Sequence, residues 1–391
     1  MKDTLSFVIT GDIGFDKYMK DAYKKEDLLD KEVLDFLRLS DHLMVNVEGP
    51  LSGANLHKET DGASKLKHSM DAGVADFLKK IGADIWNINN NHIMDEGPEG
   101  LKCTLDAAKE KCAVTIGAGI NIDEASKPLI YPDAGGIGFV SVGYERACRK
   151  ADKETPGCLN FSDIDIVEAR IKEVKKTCKW CVVIAHDGEE FTALPSPYTR
   201  ERYLSYLDFG ADIVVAHHPH VPMNYETVGE KVIFYSLGNF IFDTDYQRSQ
   251  FNTEKGILLK VSFDLTGFKY EPFGIKIDRD NERVVKGDLP DIFTDVDEGE
   301  YELLSPLAAK MFIENTKKQL KFLKPSEFEN ATEEDFLKNF YEPLRSGRVP
   351  GKLLDLQIIV PLANKAAEAH WKRSKLESVK RYMLAQMPRL G

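Results

Sequence analysis

The chain has 391 residues, of which 42% are hydrophobic and 30% charged, the composition of a globular protein with one large unit or two smaller ones. A formal net charge of -12 excludes sequence-independent binding to nucleic acid and argues against docking on an anionic membrane. It leaves anionic substrates open, because bound divalent ions reverse the field of a site locally.

Residues 5–10 form an apolar, partly β-branched run that reads as a buried first strand, ended by Gly11-Asp12. Helical spacing of apolar residues predicts a helix over 26–39. A second strand over 43–48 stops at Gly49-Pro50, and polar residues 52–68 predict a long loop. A helix over 71–81 precedes a third strand, 85–88, closed by Asn89-Asn90-Asn91-His92. A helix is expected over 100–111, then strands over 114–117 and 137–142, and an amphipathic helix over 164–176. The strand 180–185 ends at His186, and a helix over 198–209 follows.

Next comes the run Ile213-Val214-Val215, followed almost at once by His217, His218 and His220. A further run, 232–235, leads into Ser236-Leu237-Gly238-Asn239-Phe240. Residues 256–263 and 269–277 predict an antiparallel pair. The strand–helix rhythm through residue 245 implies a sheet-centred α/β unit. Beyond it, 278–300 reads as an acidic loop, and 306–321, 332–341 and 362–387 as helices. Two units are therefore expected, 1–277 and a helical extension, 278–391.

No apolar run reaches the roughly 18 residues of a membrane span. The N-terminus enters a strand without a signal-peptide pattern, which predicts a cytoplasmic location, or an extracytoplasmic one if a leader was removed. The six cysteines are dispersed and read as reduced thiols, Cys178 and Cys181 included.

Polar, metal-capable residues recur where predicted strands end: Asp12; Asn46 and Glu48; Asn91 and His92; His186, with Glu190 behind it; and His217, His218 and His220. Each alone is an ordinary turn, cap or core residue. The carboxyl ends of parallel strands share one edge of a sheet, so together they predict one site. Carboxylates, an amide oxygen and several imidazoles form a mixed oxygen and nitrogen set suited to Mn, Fe or Zn. Such a site holds one or two divalent transition-metal ions. A pair about 3.5–4 Å apart stabilises in-line displacement at phosphorus. His92 is the candidate for proton delivery to the leaving oxygen.

The motifs Gly11-Asp12, Asn46-Val47-Glu48, Asn89-Asn90-Asn91-His92, Gly117-Ala118-Gly119, His186-Asp187-Gly188-Glu189-Glu190-Phe191, His217-His218-Pro219-His220 and Tyr235-Ser236-Leu237-Gly238-Asn239-Phe240 resemble those of the bacterial capsule-synthesis CapA, or poly-gamma-glutamate biosynthesis, family. That family is related to the calcineurin-like metallophosphoesterases. The resemblance covers residues 5–245. It implies a metallophosphatase-like four-layer α/β/β/α sandwich with two mixed sheets, and a metal-dependent hydrolase. It places Asp12 and His220 on one metal, Glu48 as the bridge, and Asn91, His186 and His218 on the second. His92 takes the acid's place, and Asn46, Glu190, His217 and Asn239 line the substrate.

The wider superfamily carries histidine where this chain has Gly14, and aspartate where it has Glu48. The first metal site is therefore expected to lack one imidazole. The expected partner is a small molecule or polymer fragment, anionic in character, with no nucleic acid and no membrane segment. An accessory role in capsule or poly-gamma-glutamate assembly, with or without amide hydrolysis, is the rival expectation. Oligomeric state is not legible in the sequence.

Overall fold

The central strand of the larger sheet forms from TLSFVITGDIG, an apolar run whose branched residues suit a pleated, doubly covered position. The computed structural model of the protein describes residues 2–52, 67–143, 148–296, 301 and 330. The first half runs β1 (Thr4–Gly14), α1 (Lys31–Leu37), β2 (His42–Val47), α2 (Val74–Lys80), β3 (Ala83–Asn87), α3 (Gly97–Glu110) and β4 (Val114–Ile116). There follow β5 (Ala118–Gly119), α4 (Ile122–Ala125), β6 (Leu129–Tyr131), β7 (Ile137–Gly143), β8 (Gly157–Cys158), α5 (Ile164–Thr177), β9 (Trp180–His186) and α6 (Pro197–Phe209). The last elements are β10 (Ile213–His217), β11 (Tyr225–Val228), β12 (Lys231–Phe234), β13 (Asn239–Phe242), α7 (Asp245–Arg248), β14 (Lys255–Asp264), β15 (Phe268–Asp278) and β16 (Arg283–Lys286).

Among the described residues the larger sheet has eight strands, in the order β16-β15-β14-β1-β2-β3-β4, with β13 also on β1. The second has six, in the order β11-β12-β10-β9-β7-β6. Both are mixed. β1 to β4 run parallel, as do β7, β9, β10 and β12, and antiparallel strands close the edges.

Three apolar clusters define the layers. Val8, Val45 and Trp86 on the outer face of the larger sheet meet Val33 and Phe36 of α1, Phe77 and Leu78 of α2 and Leu101 of α3. Phe7, Ile9, Met44 and Ile85 on its inner face meet Phe139, Ile184, Val215 and Phe234 of the second sheet. The second sheet's outer face packs Val140, Val183 and Val214 against Val167 and Ile171 of α5 and Tyr206 of α6. The result is helices, sheet, sheet, helices, the expected α/β architecture. Each fully buried large apolar side chain contributes about 1.5–3 kcal/mol relative to exposure.

Differences from the sequence reading have local causes. α1 starts at Lys31 rather than 26, because Asp30 caps it by accepting the Val33 N–H at 2.8 Å. The segment 278–300 is not all loop. Arg283–Lys286 forms β16 on β15, and Phe293 joins the core between the sheets. β1 runs on to Gly14, with its register shifting between Ile9 and Asp12 and again after Asp12. That irregularity changes the side-chain parity. Val8 faces the helices but so does Ile13, which lets Asp12 face inward. The segment 53–66 and the helices expected over 306–321, 332–341 and 362–387 lie outside the described residues. No helix among the described residues is long and apolar enough to cross a membrane.

Candidate metal centre

Strand register gathers the polar residues into two rows. In the larger sheet Asp12 sits level with Asn239 on one side and Asn46 on the other, and Asn46 is level with Asn87. In the second sheet His186 is level with Gly143 and His217. Both rows lie at the carboxyl ends of parallel strands, and contacts join them. Asn46 Nδ2 lies 3.3 Å from His186 Nδ1, and His217 Nε2 lies 2.8 Å from the Thr10 carbonyl oxygen. Gly11 permits the close approach of β1 to the turn before β13, since a Cβ there would come within 2.1 Å of the Gly238 oxygen.

The turns that carry the remaining side chains are pinned from below. Glu48 N–H donates to the Ile13 carbonyl at 2.9 Å as the chain leaves β2. Asn90 donates to the Val47 carbonyl at 2.6 Å and accepts from His92 N–H, which fixes the turn after β3. After β10 the backbone turns left-handed at His218 (φ +96°) and His220 (φ +57°). Such non-glycine positions cost about 1–3 kcal/mol each and persist where other contacts enforce them. Here the His218 N–H donates to Asp12 Oδ2 at 3.2 Å.

Two groups of ligand-type atoms converge. One is Glu48, His218 and His220; the other is Asp12, Glu48 and His186. Glu48 belongs to both. Its Oε1 lies 3.6 Å from His186 Nε2 and 3.6 Å from His220 Nε2, and His186 Nε2 lies 2.8 Å from Asn91 Oδ1. Donor atoms around an ion with bonds of 2.0–2.2 Å stand roughly 3–3.5 Å apart, so these spacings fit a divalent cation. Glu48 is fully buried, and neither of its oxygens accepts a hydrogen bond. A buried carboxylate without hydrogen bonds is costly unless a cation joins it. The residues present therefore fit the implied metal.

Supporting hydrogen bonds orient the candidate ligands. Ser141 donates to Asn87 Oδ1 at 2.6 Å, Asn87 to Asn46 Oδ1 at 2.7 Å, and Asn46 to Asp12 Oδ1 at 2.7 Å. This buried chain crosses from β7 through β3 and β2 to β1. Asn239 donates to Gln247 Oε1 and to the Thr253 carbonyl, which leaves its own oxygen to accept from His220 Nδ1 at 2.9 Å. That bond fixes the ring's orientation and turns His220 Nε2 toward Glu48.

Electrostatics divide the imidazoles. Burial opposes charge on His220, but the Glu48 carboxylate and the hydrogen bond to Asp12 overcome it and raise its pKa to about 10. Asp12 is correspondingly held below its ordinary range. Burial alone would raise it, and the hydrogen bond from His220 outweighs that. Burial pushes Glu48 well above the carboxylate range and His186 well below the imidazole range. It lowers His218 and His92 to about 4.

All six expected ligands, Asp12, Glu48, Asn91, His186, His218 and His220, lie in this one region. His92 stands beside it with Nδ1 2.7 Å from Asp95 Oδ2, and Glu190 Oε1 is 4.0 Å from His218 Nε2 with a quarter of its side chain exposed, at 25%. Asn46, His217 and Asn239 were the expected substrate contacts. All three are buried, and they hold Asp12, the Thr10 carbonyl and His220 from behind. At Gly14 a Cβ would come within 2.0 Å of the Phe242 ring, which stacks on His220 with centroids 4.9 Å apart. Phe242 thus fills the space a histidine at 14 would need. Sequence reasoning missed Asn87, Ser141 and His68. Asn87 alone carried a signal, as an amide inside a buried strand.

A family model described as bacterial capsule synthesis protein PGA_cap matches residues 6–244. The PGA biosynthesis protein CapA of Bacillus subtilis (strain 168) is 33% identical over 253 residues, covering 63% of this chain and 66% of that protein. The capsule biosynthesis protein CapA of Bacillus anthracis is 30% identical over 257 residues, covering 63% of this chain and 62% of its own length. The matches thus span just under two thirds of these relatives. Among solved structures, a putative 5'-nucleotidase from Staphylococcus aureus in complex with alpha-ketoglutarate aligns with a TM-score of 0.44 at 14% identity, over 79% of this chain and 58% of that one. The purple acid phosphatase PPD1 of yellow lupin (Lupinus luteus) aligns with a TM-score of 0.35 at 12% identity, over 75% of this chain and 55% of that one.

Proposed function

The chain belongs to the bacterial capsule synthesis protein PGA_cap family, and from that premise we propose that it is a metal-dependent hydrolase of the calcineurin-like phosphoesterase type, acting on an anionic phosphate ester. The observation that carries the reading is Glu48, a fully buried carboxylate shared by two converging ligand groups and free of hydrogen bonds. Asp12, Glu48, Asn91, His186, His218 and His220 would hold one or two ions of Mn, Fe or Zn. When bound, such ions supply Lewis-acid polarisation of the ester and a water of lowered pKa.

The protein's own residues do the rest. Asn46 holds the Asp12 carboxylate, and Asn239 fixes His220 with Nε2 inward. Asp95 engages His92 Nδ1, so Nε2 is the atom available to a leaving oxygen. Burial keeps His92 neutral at pH 7, with a pKa of about 4. A bound anionic ester favours its protonation, which couples proton delivery to occupancy by substrate.

The test is turnover of p-nitrophenyl phosphate mono- and diesters by metal-loaded protein. Activity lost in Glu48→Gln and in His218→Ala supports the reading. A folded, metal-loaded protein inert on both esters contradicts it. That outcome favours the second reading, an accessory protein of capsule or poly-gamma-glutamate assembly. The names of the Bacillus relatives support this alternative, as does Phe242 in the place of one more imidazole at Gly14.

A further inference from the structure

Beside the six ligands stands a second polar group that neither converging set contains. His68 and His92 meet edge to face, with ring centroids 4.1 Å apart and planes at 84°. Each ring is tied by Nδ1 to its own carboxylate, His68 to Asp16 Oδ2 at 2.8 Å and His92 to Asp95 Oδ2 at 2.7 Å. Asp95 Oδ2 also accepts the His68 backbone N–H at 2.8 Å, so one carboxylate sets the position of both residues. The Asp16 carboxylate is itself anchored, its Oδ1 accepting the Lys17 N–H at 2.7 Å.

Two further contacts place His68 at the centre's edge. Its ring lies 5.1 Å from that of Phe242, which in turn stacks on His220. Its side chain and that of His92 are each 12% exposed, so both reach the surface of the site rather than the core. Core packing alone does not call for a second imidazole with an anchored carboxylate behind it. A metal-ligand role is not indicated either, since the converging ligand groups among the described residues are both built on Glu48 and exclude His68. With Nδ1 engaged, the nitrogen each ring has left for a ligand is Nε2. An imidazole whose Nδ1–H goes to a carboxylate presents Nε2 as an acceptor when neutral and as a donor when protonated, so the pair suits hydrogen bonds with two oxygens of one partly protonated tetrahedral phosphate.

We infer that His68 is a substrate-binding residue, which with His92 clamps the oxygens of a phosphoryl group presented to the centre. The inference rests on the phosphoesterase reading above and adds to it a residue outside the ligand set. It also gives a reason for the Asp16–His68 bond, which the ligand set does not require.

The test is calorimetric titration of inorganic phosphate into metal-loaded protein, with metal content measured on the same samples. Three forms are compared: wild type, His68→Phe and His68→Gln. Phenylalanine keeps the ring's shape and its packing on Phe242 but removes both nitrogens, whereas glutamine keeps a donor near the Nε2 position. The expected result is phosphate binding by wild type, weakened about 10-fold or more in His68→Phe and partly recovered in His68→Gln, at unchanged metal content. Equal phosphate affinity in wild type and His68→Phe overturns the inference and leaves the phosphoesterase reading standing. Loss of metal from His68→Phe also overturns it, by assigning His68 to the metal centre. A wild type that loads no metal, or loads metal and binds no phosphate, overturns both together.

Discussion

The His220 corner of the centre and the His186 corner are built from neighbouring strand ends, yet they balance charge in opposite ways. His220 sits between two carboxylates, 3.3 Å from Asp12 Oδ2 and 3.6 Å from Glu48 Oε1, and its own proton supplies the positive charge. His186 is equally buried but faces an amide oxygen and the same Glu48, and burial keeps it neutral. An ion arriving at the His186 corner displaces no proton from the imidazole. An ion arriving at the His220 corner must displace one. One shared carboxylate thus serves two corners whose response to pH differs.

The largest effect expected from this contrast is on metal uptake. Because His220 holds its proton up to about pH 10, apparent affinity at its corner rises by up to about tenfold per pH unit through the neutral range. Calorimetric titration with Mn or Zn in buffers of different ionisation enthalpy reads the released proton directly. His220→Asn lowers the slope by the proton that His220 releases, whereas His186→Asn leaves that share in place. A slope unchanged in His220→Asn breaks the contrast.

Asn87→Ala interrupts the chain from Ser141 to Asn46 without touching a ligand. Metal affinity is expected to fall about 10- to 100-fold, as for other supporting residues of metal sites. Competition with a chelating dye measures it.

Gly14→Ala is expected to destabilise the fold by about 1–3 kcal/mol, since its Cβ would overlap the Phe242 ring. The double substitution Gly14→Ala, Phe242→Ala should cost less than the two single ones added together, in urea denaturation. Strict additivity would remove the steric explanation for Gly14.

A further effect is on the stability of metal-free protein against pH. His92 and His218 have folded pKa values of about 4, below the unfolded imidazole near 6.5, so the unfolded chain binds more protons between those values. Stability therefore falls as pH drops from about 6.5 toward 4. His220 works the other way. Its contribution is complete below about 6.5 and is lost as pH rises through 10. Denaturation midpoints should peak near pH 6.5 and decline on both sides, and metal should blunt the alkaline decline.

The candidate ligands were legible as a group because each follows, directly or through a short turn, an apolar run that reads as a buried strand. Asn46, His186 and His217 inherit their places from strand register, whereas Asp12 faces inward through the irregularity in β1, which the sequence does not announce. What lay behind the ligands was less legible. Asn46, His217 and Asn239 read as substrate contacts because a strand end looks the same from either side. Their burial depends on how the two sheets meet, which no single segment encodes. β13 went unassigned because it begins at Gly238-Asn239, a turn signal, and pairs with only the last residues of β1. β16 was hidden in an acidic stretch, its pairing with β15 supplied by a turn rather than by hydrophobic alternation. His68 had no strand to announce it. It follows a polar segment, and only its contacts with Asp16, Asp95 and His92 distinguish it.

The central claim is that Glu48 joins both corners into one metal centre. Elemental mass spectrometry of purified protein, wild type against Glu48→Gln, tests it most directly. One to two equivalents of Mn, Fe or Zn are expected in the wild type, lost from a folded Glu48→Gln. Wild-type protein free of metal after reconstitution, or a Glu48→Gln form that keeps its full complement, would contradict it.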